Sequence, residues 1–122
     1  MRKESWITIE REYGGYSGRL RWDPFVVDSI IYSVCGKFRL PVPSLEIKKR
    51  DFFRSKGLYY GWKNDRKGHI VIRDTDGYNT LIHELAHHLD EYRIRSGQQV
   101  NCHGEGFRKS LTDIYNHLIP NK

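Results

Sequence analysis

The chain has 122 residues, 38% hydrophobic and 30% charged, the balance of one folded domain with a modest core rather than of a disordered chain. No apolar run approaches a membrane span. Met1-Arg2-Lys3-Glu4-Ser5 leads into no apolar signal segment, so a cytoplasmic protein without a membrane partner is expected. The formal net charge of +6 favours acidic partners, nucleic acid being the commonest. Cys35 and Cys102 make no disulfide framework, and Cys35 reads as a buried apolar position.

In chain order, Ser5–Glu10 is rich in strand formers, Gly14-Gly15 marks a turn, and Tyr16–Trp22 can return as a second strand. Residues 1–23 thus read as an N-terminal hairpin or arm. Asp23-Pro24 then signals a helix start. Val27, Ile30, Ile31, Val34 and Phe38 recur at helical spacing, and Pro41 and Pro43 stop the helix, predicting it over about Pro24–Phe38. Three short strands follow: Leu45–Lys48, Leu58–Trp62 and His69–Arg73. The turn residues Asn64–Gly68 make the last two a hairpin. His69, alone at a strand start, reads as a surface or structural residue.

Asp74-Thr75-Asp76-Gly77 breaks the last strand. A helix from about Asn79 to about Arg93 is predicted next, with Leu81, Ile82, Leu85, Ala86 and Leu89 on its buried side. It carries His83-Glu84-Leu85-Ala86-His87. Positions i and i+4 stack on one helix face, so His83 and His87 point the same way and can hold a zinc ion, with Glu84 placed to act on its water. Asp90 shares that face, either as an acceptor for a ligand imidazole or as an exposed residue. His88 is rotated away. A catalytic zinc takes a third protein ligand, and His103 supplies it, just ahead of a last helix over about Gly104–Leu118. The buried stripe of that helix is Phe107, Leu111, Ile114, Tyr115 and Leu118. Glu105 is the rival third ligand, and the neighbouring Cys102 a weaker one.

The order helix, three strands, metal helix, ligand helix is α+β and resembles the minimal zincin core. The closer resemblance is to the SprT-like metalloproteases, the family that includes Spartan. It rests on His83-Glu84-Leu85-Ala86-His87 and, sixteen residues beyond His87, on His103-Gly104-Glu105-Gly106-Phe107, which is similar to the family's His-Gly-x-x-Phe block. It covers about residues 24–119 in order of elements, and no Cys-rich zinc ribbon follows. The resemblance implies a single domain over 1–122, a small mostly antiparallel sheet packed on three helices, and the metal site on the His-Glu-x-x-His helix. It also implies Zn2+ held by His83, His87 and His103, Glu84 as general base, and a monomeric zinc-dependent metalloendopeptidase acting on a protein or peptide substrate. The metzincin pattern fits worse, since Asp90 and Arg93 stand where its Gly and third His would be and no Met-turn exists.

Chemistry alone offers Tyr78, Tyr92, Tyr115 and His88 as a second oxyanion donor. His69–Arg73 reads as an edge strand that could pair with substrate backbone. Lys48, Lys49, Arg50, Arg54 and Lys56, with Phe52 and Phe53 among them, suit phosphates and stacked bases. The plain alternative is a solvated strand end and loop. DNA-associated proteins are therefore one substrate class. Two rival functions are a regulatory protease cutting one partner such as a repressor, and a non-catalytic zincin fold that binds nucleic acid. Intact Glu84 argues against the second.

Overall fold

The computed structural model describes residues 24–48, 57–60, 67–73, 78–93 and 103–119. The expected hairpin or arm over 1–23, and Lys49, Arg50, Arg54, Lys56 and Cys102, lie outside the described residues. In chain order the elements are α1 (Pro24–Phe38), β1 (Ser44–Lys48), β2 (Gly57–Tyr60), β3 (His69–Arg73), α2 (Tyr78–Arg93) and α3 (Glu105–Leu118). This is the expected order, and the architecture is α+β.

The periodic positions of α1, Val27, Ile30, Ile31 and Val34, are all buried, and so is Cys35. Burial pushes the Cys35 thiol up to about 11, so it stays protonated and acts as apolar filling. The helix ends at Arg39, which takes φ 56°, a left-handed conformation that costs a non-glycine residue about 1 kcal/mol. That bend lets the Leu40 N–H donate to the Cys35 carbonyl at 2.9 Å, a closing bond across the last turn. Leu40 is buried at this corner.

The sheet corrects two expectations. It is mixed rather than mostly antiparallel: β2 pairs antiparallel with β3, as the hairpin predicts, but β1 pairs parallel with β3. The strand order is β1-β3-β2, so β3 is the central strand and not an edge. The reason is visible in Ile70-Val71-Ile72. Successive side chains point to opposite faces, yet all three are buried. A strand covered on both faces reads as a continuous apolar run rather than an alternation. Both hydrogen-bonding edges of β3 are occupied, so it offers nothing to a substrate backbone.

The helix α2 packs on β2, β3, α1 and α3. Its predicted inner side, Leu81, Ile82, Leu85, Ala86 and Leu89, is buried and meets Phe107, Leu111, Ile114 and Tyr115 of α3 in one core. Burying each large side chain contributes roughly 1.5–3 kcal/mol. At the C-terminal end of α2, Arg93 donates to Ser110 Oγ at 3.1 Å, pairs with Asp113 at 2.9 Å and lies over the Phe38 ring. One side chain thus ties together all three helices.

His88 ties α2 to the rest of the chain. It is fully buried. Its Nε2 lies 2.8 Å from the Pro41 carbonyl, which can only accept, so Nε2 carries the proton. In the neutral ring Nδ1 then accepts from the Tyr59 hydroxyl, 2.9 Å away. Burial holds the imidazole neutral by lowering its pKa, against the opposing pull of the Pro41 bond. Gly68 takes φ +80°, and a Cβ there would stand 2.9 Å from Tyr59 Oη and 3.1 Å from His88 Nδ1. Glycine therefore serves both the turn and the close approach. The tether carries a stability prediction. Tyr59→Phe, which removes one hydrogen bond, should cost about 1 kcal/mol, and His88→Leu, which strands the Pro41 carbonyl and the Tyr59 hydroxyl, roughly 2–4 kcal/mol. Urea unfolding of the metal-free protein measures both, and two near-zero values would show that the tether contributes nothing.

Candidate metal centre

The site is assembled by the last two helices of the chain, which are consecutive in the element order. α2 presents His83 and His87 one turn apart, with ring centroids at 5.1 Å. α3 begins just beyond His103. Its first α-helical bond, Arg108 N–H to the Gly104 carbonyl, is 3.0 Å long. The Arg108 guanidinium also donates to the His103 carbonyl at 3.2 Å. The packing of α3 on α2 carries the His103 ring to 5.1 Å from His83 and 5.0 Å from His87. The three imidazoles form a nearly equilateral triangle.

One donor nitrogen from each ring lies within 4.8 Å of the others, a cluster that could hold a metal ion. His83 and His103 present Nε2 to each other at 3.2 Å. Zinc–nitrogen bonds of about 2.0–2.1 Å at tetrahedral angles put two ligand nitrogens about 3.3 Å apart, so this pair already has the spacing that zinc requires. Phe107 is the floor of the triangle. Its buried ring lies 4.3 Å from His87, 4.9 Å from His83 and 5.0 Å from His103. His103 is exposed, while His83 and His87 are half-buried. The triangle is therefore closed below by carbon and open on the His103 side.

The electrostatics suit a cation. The pKa of His87 is lowered to about 3, first by burial and then by the neighbouring His83 and His103 rings. Its nitrogen is thus unprotonated at neutral pH, the form that binds metal.

The described candidates divide into those the fold brings together and those it does not. His83, His87 and His103 come together. Glu105 does not join them: among the described residues the cluster is of histidines alone. Glu105 sits in the first turn of α3, where a carboxylate is favoured by the helix dipole. Glu84 is buried on α2 next to the first ligand. Asp90 is buried rather than exposed, and its carboxylate meets the first turn of α3: a Cβ on Gly106 would stand 2.7 Å from Asp90 Oδ1. Of the four oxyanion candidates, Tyr78 and Tyr115 are buried in the core, His88 is committed to Pro41 and Tyr59, and Tyr92 is exposed. His69 is structural, its Nδ1 2.7 Å from Ser44 Oγ on the paired strand. Of the proposed basic patch, Lys48 alone is described. It closes β1, half-exposed, with Nζ 3.8 Å from Glu46, a surface pairing of little energetic weight. Two contributors escaped the sequence reading. Phe107 was legible as core and as part of the block around His103, but not as the ring against which all three imidazoles pack. The contact of Asp90 with Gly106 has no sequence signature.

Comparison with known proteins finds no match to any family model, curated protein or solved structure. The chemistry of the site therefore stands on its own residues. No helix among the described residues is long and apolar enough to cross a membrane.

The ligand set makes a direct prediction. His103→Ala should lower zinc affinity by at least about tenfold, as expected on losing one of three protein ligands, while Glu105→Ala should leave it near the parent value. Competition with a chromophoric chelator reads both, and the reverse pattern would reassign the third ligand. A second prediction concerns pH. Folded His87 takes up its proton only near 3, against 6.5 for an ordinary histidine. Between those values the unfolded chain holds more protons than the folded one, so the stability contribution present above about 6.5 is lost as pH falls. The urea midpoint of zinc-free protein should drop from pH 7 to pH 5, and His87→Leu should flatten that slope. An equal slope in the variant would show that His87 does not contribute.

Proposed function

We propose that the protein is a zinc-dependent metallopeptidase of the SprT-like kind, hydrolysing peptide bonds in proteins, DNA-associated ones among them. The observation that carries this reading is the arrival of His103 beside His83 and His87, because a His-Glu-x-x-His helix without a third ligand is not a catalytic centre. Three neutral imidazoles leave the charge of a bound cation undiminished. Zinc held there would supply a water with a pKa of about 7 and polarise a carbonyl.

The chain's own residues supply the rest. Glu84 follows His83 directly and is offset by about 60° around the helix from His87, so it flanks the ligand face without being part of the ligand set. Its role is to take the proton of the attacking water and return it to the leaving amine. Phe107 excludes water from beneath the imidazoles, which strengthens electrostatic interactions above it. The exposed side of His103 leaves an approach for an extended chain. Support for DNA-associated substrates is the net charge of +6, which favours a salt-sensitive attraction to phosphates.

The test is Glu84→Gln, which keeps the shape of the side chain and removes the base. The variant should bind zinc as the parent does, and casein cleavage should fall by at least about a hundredfold, the usual scale of general-base help. Single- or double-stranded DNA should stimulate parent cleavage and leave the variant inactive. Full activity in Glu84→Gln would end the proposed mechanism. Cleavage indifferent to DNA would leave a peptidase without the DNA link.

A further inference from the structure

The position of the third ligand rests on a contact outside the imidazole cluster. α3 starts at Gly104, whose extended backbone (φ −80°, ψ −162°) supplies no side-chain cap. The first N–H groups of a helix have no partners within it and attract negative charge. α3 is also opened by two glycines, Gly104 and Gly106, which hold a helix start weakly because glycine loses most on being ordered. His103, on the residue before Gly104, would by itself be poorly placed.

The residue that meets this weak start is Asp90. It lies one turn beyond His87 on α2, and Gly106 lies in the first turn of α3, three residues after His103. The contact between Asp90 and Gly106 therefore joins the helix that carries His87 to the helix start that follows His103. It is tight. Asp90 is buried, and a Cβ at Gly106 would come within 2.7 Å of Oδ1 and 3.7 Å of Cγ of its carboxyl group. Real Cβ atoms essentially never show that separation, so a larger residue at 106 requires the Asp90 carboxylate to shift. Burial pushes the Asp90 carboxyl above its ordinary range, opposed by Arg93 one turn further along α2, which is itself anchored on α3 through Asp113 and Ser110.

We propose that Asp90 is a positioning residue for the third metal ligand: docked against Gly106 in the first turn of α3, its carboxylate sets the distance of His103 from His87 and His83. The inference rests on the three-histidine metal reading and adds to it a residue that touches neither metal nor substrate. It also explains the glycine at 106, a poor helix former held in a helix start because the carboxylate requires its missing Cβ.

The experiment measures zinc affinity by chelator competition, and the visible spectrum of the cobalt-loaded protein, in the parent and in His103→Ala. In the parent background Asp90→Ala and Gly106→Ala should each weaken zinc binding by about ten- to a hundredfold, the scale of losing an outer partner of a ligand. The double variant should be no weaker than Asp90→Ala alone, since the added methyl then has no carboxylate to meet. The cobalt spectrum of each should shift toward that of His103→Ala. In the His103→Ala background neither change should alter the residual affinity, an independence that a general loss of stability would not show. Should Gly106→Ala fail to fold, Asp90→Ala in the two backgrounds decides the matter. Parent-like affinity in Asp90→Ala, or an equal loss with and without His103, would overturn the proposal. Unchanged affinity in His103→Ala itself would instead remove the three-histidine reading beneath it.

Discussion

The packing of α3 on α2 is the constraint on which the site depends. Leu85, Leu89, Phe107, Leu111 and Ile114 are fully buried in one shared core, and that burial fixes the two helices side by side. His83, His87 and His103 ride on the rim of this interface. Three imidazoles brought to ring separations of 5.0–5.1 Å offer one another little attraction. The apolar interface supplies what the cluster lacks. Phe107 shows the link most directly, because one ring both fills the core and supports the imidazoles.

Three polar side chains of α2 each join that helix to another element. His88 joins α2 to the chain before β1 and to β2 through Pro41 and Tyr59. Arg93 joins α2 to α3 through Ser110 and Asp113. Asp90 stands against the start of α3 at Gly106. The three lie at successive positions down α2, from the ligand end to the C-terminus. Buried hydrogen bonds contribute only about 1 kcal/mol each, but leaving a partner unsatisfied costs more. Such groups therefore specify the relative placement of helices more than they add to stability. A metal site needs that placement, because small errors in ligand position cost affinity.

The adjacent histidines of α2 show how one helix divides identical side chains between tasks. His87 faces the other two ligands and is kept unprotonated by burial and by their rings. His88, one position on, is turned by about 100° into the opposite side and holds a defined tautomer between a carbonyl and a hydroxyl. Burial lowers the pKa of both, leaving one available to a cation and the other as a structural hydrogen-bond bridge.

Much of this was written in the local sequence. Helical spacing of Val27 to Val34, of Leu81 to Leu89 and of Phe107 to Ile114 determined the helices and their buried faces, because a 3.6-residue period is a local property. The i, i+4 spacing of His83 and His87 determined that they share a face, and Gly104 and Phe107 around His103 singled it out. The strand order was not legible. β1 pairs with β3 across an intervening strand, and pairing between distant segments leaves no periodic signature. The choice of His103 over Glu105 also belonged to the tertiary structure: two residues apart, both could reach α2 on paper, and the docking angle of α3 sends one to the cluster and the other to the helix start. The dock of Asp90 on Gly106 lay furthest from the sequence, since a carboxylate and a missing Cβ become complementary only when the two helices meet.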